Sequence, residues 1–494
     1  MEAAQKRLNE SAPLRWGVLV LISGLLFSTY WFQDCLGPLK SLMESQLGFH
    51  SGQFGLIIAS TTWANLGLMI ILGGIALDKW GIRKTGTIFG ILATVGAFIV
   101  ALASKGVFGQ DKDTMLIWMI IGRILFGTGL ETVCVMVSRT VVKWFKGYEL
   151  ALAMAINVGF GRLGSAGTNF FGVDIAGGNV YTGLSFAASL IGLSLIGFLI
   201  YLIIDVKFDK RDEALAGPAA ATKEDGFKFK DLVDLLTNRS FILIALLCVS
   251  FYAAVFPFIQ YAPDLLANKF GFTTALPDLS GMSLWEKITA FFRNGPKVTS
   301  LIPLGTILFT PIFGRFVDKK GKAASVMILG SLLLIFAHLS LSVFNIVALG
   351  YLGLLALGIA FSLVPAAMWP SVAKIVAENR LGTAYATMFT IQNYGLFAFF
   401  WGIGKMVNVM NPAIVEQIQS TRDQLIASGM SLEEIPLRIA ELKAAGVIPP
   451  YDYTVPILML VFLGVISIFL AFQLKRADKK QGYGLELPFG GNRK

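Results

Sequence analysis

Gly74-Ile-Ala-Leu-Asp78-Lys-Trp-Gly81-Ile-Arg83-Lys84 follows the second long apolar run of the chain, and Gly314-Arg-Phe-Val-Asp318-Lys-Lys-Gly321-Lys322 follows the eighth. Gly, Asp and Gly each recur at an offset of 240 residues. Each stretch reads as a tight turn between two helices. The first glycine is expected to permit close helix approach, and the second a turn geometry closed to other residues. The acidic and basic residues are expected to pair across neighbouring helix ends, which makes Asp78, Arg83 and Asp318 candidates for coupling conformational change. A second correspondence, at an offset of 231, aligns Gly122 with Gly353, Gly127 with Gly358 and Lys143 with Lys374. Two parallel copies of one unit are the simplest reading.

Outward from these turns, apolar runs fall at about 16–36, 54–77, 86–104, 115–137, 150–171 and 180–204, and again at 241–263, 298–317, 323–345, 347–370, 381–407 and 456–475. Each is near the length of about 20 residues that a membrane span requires. The whole 494-residue chain is 55% apolar and only 15% charged, against about 25% charged in a soluble domain. The expected fold is an all-α membrane protein with 12 transmembrane helices in two pseudo-symmetric six-helix halves. Residues 1–204 form the first half and 205–240 a charged cytoplasmic linker. Residues 241–475 form the second half, with outside segments 264–297 and 408–455, and 476–494 a cytoplasmic tail. From Pro412 to Ala445 apolar and charged residues alternate at helical spacing, predicting a small amphipathic hairpin outside the membrane.

Orientation follows from the bias of Lys and Arg toward cytoplasmic loops. With both termini inside, 28 of the 41 basic residues lie on the cytoplasmic side. The net charge of +10 is therefore topological, and no nucleic-acid partner is expected. Two histidines, His50 and His338, argue against a histidine-built metal site. Three cysteines, Cys35, Cys134 and Cys248, form no disulfide framework or redox pair. No cofactor is implied, and no Ser/His/Asp, HExxH or phosphate-loop pattern indicates an enzyme.

Charge inside the bilayer is costly and marks function by default. Arg123, Glu131 and Arg162 fit that description. Arg123 and Glu131 share one helical stripe but lie eight residues, about 12 Å, apart along the axis, too far to pair. With its helix ending near Val137, Glu131 is expected roughly 9 Å from the cytoplasmic end and Arg162 roughly 18 Å. One reading gives the substrate, a zwitterion, an ammonium partner in Glu131 and a carboxylate partner in the planar fork of Arg162. A second makes Glu131 a proton site coupled to substrate, and a third makes Glu131 and Arg162 an ion pair locking two helices. Arg123 is expected to be structural or a coupling element. Further substrate-binding candidates are Tyr30 and Asp34 on the first helix, Tyr252 on the seventh, Trp369 on the tenth, and Gln392 and Asn393 on the eleventh. An organic-anion or sugar-acid carrier, with Arg123 and Arg162 on the anion, is the rival reading; a membrane sensor or enzyme is more remote.

The paired turns resemble the loop 2–3 signature of the major facilitator superfamily, and Arg123-x-x-x-Gly127-x-Gly129 resembles its second signature. Lys143-Trp-Phe-Lys-Gly147-Tyr-Glu-Leu150, Arg162-Leu-Gly-Ser165, Phe251-Tyr-Ala-Ala-Val-Phe256-Pro-Phe-Ile259, Met368-Trp-Pro370 and Ile391-Gln-Asn393 further resemble the lysosomal dipeptide transporters of that superfamily. The resemblance implies dipeptide transport by alternating access, by uniport or proton coupling. It also implies that Glu131 and Arg162 help hold the amino and carboxyl ends of the peptide. The expected partners are a small-molecule substrate, the lipid bilayer and protons, with the protein a monomer. The short stretch Met1 to Arg15 shows no dileucine sorting signal, and Asn9-Glu-Ser11 and Asn238-Arg-Ser240 fall on cytoplasmic segments, so the inner cell membrane is the expected location.

Overall fold

A computed structural model describes residues 8–67, 69–216, 229–377 and 380–488. The first half comprises α1 (Ala12–Asp34), α2 (Leu36–Leu47), α3 (Ser51–Ser60), α4 (Trp63–Leu66), α5 (Met69–Ser104), α6 (Lys112–Phe145), α7 (Leu150–Ala176) and α8 (Val180–Ala216). After α9 (Phe229–Thr237), the second half comprises α10 (Arg239–Phe270), α11 (Leu284–Phe292), α12 (Gly295–Thr299), α13 (Leu301–Lys320), α14 (Ala323–Ser342), α15 (Val347–Ile375), α16 (Leu381–Met410), α17 (Pro412–Ala427), α18 (Ile435–Ala444) and α19 (Thr454–Gln481). Among the described residues, nine segments are long and apolar enough to cross a membrane. The other three expected passes are interrupted or carry polar groups. The one at 54–77 is broken at Thr62 and Gly67, while α7 and α16 carry Asn157, Arg162, Gln392, Asn393 and other polar groups.

The repeat turns form as expected at their second glycines. Gly81 (φ 72°) folds two passes back on each other within α5, and Gly321 (φ 69°) does the same between α13 and α14. The expectation for the first glycines is corrected: a Cβ on Gly74 or Gly314 would meet no atom within 4 Å. Close approach is carried elsewhere, as at Gly127, where a Cβ would lie 1.8 Å from the Thr61 carbonyl oxygen, and at Gly404, 2.1 Å from that of Ser51. The helices also outrun the apolar runs. Residues assigned to the linker continue α8 to Ala216 and begin α9, and the hairpin expected between Pro412 and Ala445 is α17 and α18. All three cysteines are free thiols.

At the first turn the basic residue pairs across a neighbouring helix end. Arg83 Nε donates to the Asp205 carboxylate at 2.8 Å, and Lys143 reaches Asp205 at 2.8 Å and Asp209 at 2.7 Å. The Tyr201 hydroxyl donates to the same Asp205 oxygen as Lys143. Asp205, on the last membrane turn of α8, is thus the acidic centre that ties α5 and α6 to α8. The side chain of Asp78 lies outside the described residues, and Asp318 is exposed. In the second half the repeat partner of Lys143, Lys374, donates instead to the carbonyls of Gly484 and Leu487. The tail also accepts from the Lys322 and Ala323 amides at the second turn. One lysine position therefore binds Asp205 in one half and, among its described partners, tail carbonyls in the other.

The two halves meet at the end opposite their described termini. There α3 packs on α16, α2 on α10 and α12 on α7. Lys40 pairs with Asp264 at 2.6 Å, both buried, and Lys297 with Asp174 at 2.5 Å. Arg422 of α17 donates to the carbonyls of Ser45 and Gln46 at the end of α2, so the hairpin clasps the opposite half. Cross-half hydrogen bonds run from Gln260–Asp34 out to Tyr451–Glu44. This end is closed.

Removing a buried carboxylate that serves two cations leaves both to the more exposed Asp209, whereas an exposed pair contributes under 1 kcal/mol. Asp205→Asn is expected to lower stability by roughly 3 kcal/mol, and Arg438→Gln, which breaks only the exposed pair with Glu441, by under about 0.5 kcal/mol. Thermal unfolding in detergent measures both.

Candidate substrate site

Two charges sit at one depth. Because α6 continues to Phe145, Glu131 lies fourteen residues, about 21 Å, from its end rather than the expected 9 Å; Arg162 lies about 18 Å into α7. The correction moves Glu131 to the level of Arg162, and Arg123 outward by the same amount. Packing then sets their direction. Gly164 lets α7 press on α1, where a Cβ would stand 2.1 Å from the Phe27 carbonyl oxygen, and Gly161 lies against the Tyr30 ring. Arg162 is thereby held beside Tyr30, within electrostatic reach of which Glu131 and Asp34 also lie.

Glu131 and Arg162 are both half-buried, and among the described residues neither has an oppositely charged side chain within 4 Å. The reading of the two as a locking ion pair is thus not what this conformation adopts. The Arg162 guanidinium instead lies 4.3 Å from the Phe361 ring centre and 5.8 Å from that of Phe256. Both aromatics belong to the opposite half, so a cation of one half is received by the π-faces of the other. Asn393 faces Glu131 across the same divide and accepts from Asn65 at 3.3 Å.

The aromatic wall is interlocked. Tyr252 stacks on Phe256, Phe256 stands edge-on to Phe361, and Trp369 stacks on Phe389. Trp369 Nε1 donates to the Tyr252 hydroxyl at 3.0 Å, which fixes both rings without any substrate. Gln392 turns the other way: its oxygen accepts from the Cys248 thiol, buttressing α10 against α16.

Asp34 is a buried carboxylate and not a solvated helix end. It accepts from Gln260 Nε2 at 2.7 Å across the halves and lies beside Ser165. Arg123 is fully buried and donates to the carbonyls of Phe32 and Gln33, each at 3.1 Å. Those carbonyls end α1, where the chain breaks at Cys35 before α2. Arg123 is the cap of that break, stacked near Phe32 and Phe126, and not part of the cavity wall.

Tyr30, Asp34, Glu131, Arg162, Tyr252, Trp369 and Asn393 are thus neighbours at the junction between the halves, and Gln392 turns away from them. Sequence reasoning missed Phe361, Phe389, Gln260 and Ser165. Ser165 and Gln260 sit within or beside quoted motifs, but an apolar ring such as Phe361 carries no signal until the helix rotation is known.

The two arginines should respond differently to loss of charge. Arg123→Gln takes the charged donor from two buried carbonyls, leaving Cys35 Sγ on that of Phe32 and Gln260 Nε2 on that of Gln33, and is expected to cost roughly 3 kcal/mol. Arg162→Gln removes a cation that has no carboxylate partner, and the melting temperature should stay within a few degrees of the parent or rise. Thermal unfolding of the two variants in the same detergent tests the contrast.

Residues 22–400 match the Major Facilitator Superfamily. The chain is 28% identical over 411 residues to the lysosomal dipeptide transporter MFSD1 of Danio rerio, covering 81% of this chain and 82% of that protein. It is 28% identical over 390 residues to that of Homo sapiens, covering 77% of each. Its fold superposes on a crystal structure of the nucleoside transporter NupG with a TM-score of 0.63 at 15% identity, covering 93% of this chain and 99% of that one. Matched over most of its length, with the paired turns and the two-half bundle in place, the chain belongs to the Major Facilitator Superfamily and is a multi-pass membrane transporter.

Proposed function

We propose that this transporter moves dipeptides, or zwitterions of similar size, by alternating access of twelve membrane-spanning helices around the space between the halves. The observation that carries the reading is the pair Glu131 and Arg162, opposite in charge, level in depth, and neither neutralised by the other. An extended dipeptide spans about 7 Å between its charged ends, a length that suits reaching from one wall position to another. Arg162 receives the carboxylate through its two parallel N–H groups, and Glu131 receives the ammonium, with Asn393 beside it. The names of the relatives, which transport dipeptides, support the same substrate class.

In this proposal the closed end is the outer gate, and both termini face the cytoplasm, as the placement of Lys and Arg argues. Opening outward requires Lys40–Asp264 and Lys297–Asp174 to part, while Asp34 exchanges Gln260 for another partner. The membrane proposed is the inner cell membrane, and immunolocalisation of the tagged protein checks it. A pH gradient across liposomes distinguishes uniport from proton symport through Glu131: only the latter is driven by the gradient.

Substrate ends and side chains can be paired chemically. Glu131→Gln is expected to weaken binding of a plain dipeptide about tenfold or more, the loss expected for one charged hydrogen-bonded contact. N-acetylation of the peptide should cost the parent as much, and the variant little further. C-terminal amidation should show the same non-additivity with Arg162→Gln. Titration calorimetry reads all four combinations. Full additivity of the acetyl and Glu131→Gln effects rules out their contact, and absence of dipeptide binding to the parent rules out the substrate class.

A further inference from the structure

The segment 264–297 holds a feature that transport does not use. In α11, Leu284, Trp285, Ile288, Phe291 and Phe292 occupy an arc of about 120° at 100° per residue, and Glu286 and Thr289 lie outside it. Leu284 is 76% exposed and Trp285 75%, with Ile288 and Phe292 exposed as well. The helix starts with its own capping box, in which Ser283 and Glu286 satisfy each other's backbone amides. It is therefore a formed helix whose apolar arc is exposed at Leu284, Trp285, Ile288 and Phe292.

Its level is set by three attachments. Phe291 packs 5.5 Å from Phe170 of α7, six residues, about 9 Å, inside the end of that helix. The Phe292 carbonyl accepts from Tyr351, one turn inside α15. Lys297, just beyond, pairs with Asp174. The C-terminal end of the helix is consequently fixed at the flank of the bundle, below the tips of its helices.

The apolar surface continues from it without a break. Phe292 lines a groove of about 370 Å³ with Val298, Leu301, Gly305, Leu355 and Gly358, running down between α13 and α15. Beyond it Leu308 and Ile312 are exposed on the flank of α13, within a membrane-crossing segment. A short helix with a wide apolar arc, a tryptophan on it and lysine at its edge is the pattern of a helix lying in the headgroup region. Lys287, about 60° from Leu284 around the axis, is placed to meet phosphate while the arc faces acyl chains.

We propose that α11 lies flat in the bilayer leaflet at the closed end, with Leu284, Trp285, Ile288 and Phe292 immersed in phospholipid. Because Phe291 also rests on the opposite half, this helix anchors the seam between the halves to the leaflet.

Trp285 itself is the probe. The parent and Trp285→Phe are reconstituted in nanodiscs of phosphatidylcholine brominated at acyl carbons 6 and 7, or at 11 and 12, and the difference in their emission isolates Trp285. Interfacial helices sit about 5–10 Å into the headgroup and acyl boundary, so the shallow bromines should quench this component more strongly than the deep ones. Aqueous acrylamide should quench it several-fold less than free tryptophan. Ile288→Glu, an exposed substitution that leaves the fold intact, should lift the helix and weaken the bromine quenching. Efficient acrylamide quenching with none from bromine means water covers the arc; protection from both means protein covers it. Either result overturns the proposal, and neither bears on the transport reading, because α11 contributes no residue to the substrate site.

Discussion

A cation inside an apolar slab has to be solvated by the protein, and this structure answers that constraint in two opposite ways. Arg123 is met by two backbone carbonyls, those of Phe32 and Gln33. They are free to accept because the first membrane pass is broken at Cys35 and the carbonyls of its last turn lack helical partners. The break in turn places Asp34 at the junction of the halves and allows α2 to lean on α10, where Gly37 comes close to Gln260. Arg162 makes no hydrogen bond among the described residues and is met by aromatic faces, which attract a cation weakly compared with a carboxylate. One guanidinium is bonded through both terminal nitrogens to backbone and is structural; the other keeps its strongest bonding directions unused.

The same division runs through the acidic groups. Asp205 is surrounded by Arg83, Lys143 and Tyr201 and holds the first half together. Asp264 is shared by Lys40 and Tyr453 and closes the junction of the halves at the end opposite the described termini. Glu131 has only neutral company. Saturated ion pairs sit at the two ends of the bundle, where the halves or the turns must be held, and unsaturated charge sits between them. That distribution is what a carrier needs, since the substrate has to supply in the middle what the protein supplies at the ends.

Much of this was legible before any coordinates. The turns at Gly81 and Gly321 are where the repeated glycines place them, because a positive φ is a local demand that a short sequence announces. Arg123, Glu131 and Arg162 stand out for the same kind of reason: charge is rare in these helices, and each instance can be counted. Less legible were partners. The Asp of each repeated turn suggested itself as partner for the basic residues, whereas Arg83 and Lys143 converge on Asp205, 122 and 62 residues distant along the chain. Gln392 and Asn393 are neighbours in sequence, yet one buttresses α10 and the other faces Glu131.

The amino-acid sequence by itself determined that the chain is a duplicated bundle of membrane helices, where its turns fall, and which few charges are buried in it. Those are properties of composition and of short-range periodicity. Only the tertiary structure decided which charges are paired. Glu131 reached the level of Arg162 because α6 runs past its apolar stretch to Phe145. Arg162 reached the aromatic wall of the other half because Gly161 and Gly164 let α7 close on α1. Depth and rotation are set by where helices end and how closely their backbones pack, and both depend on residues far apart in the chain.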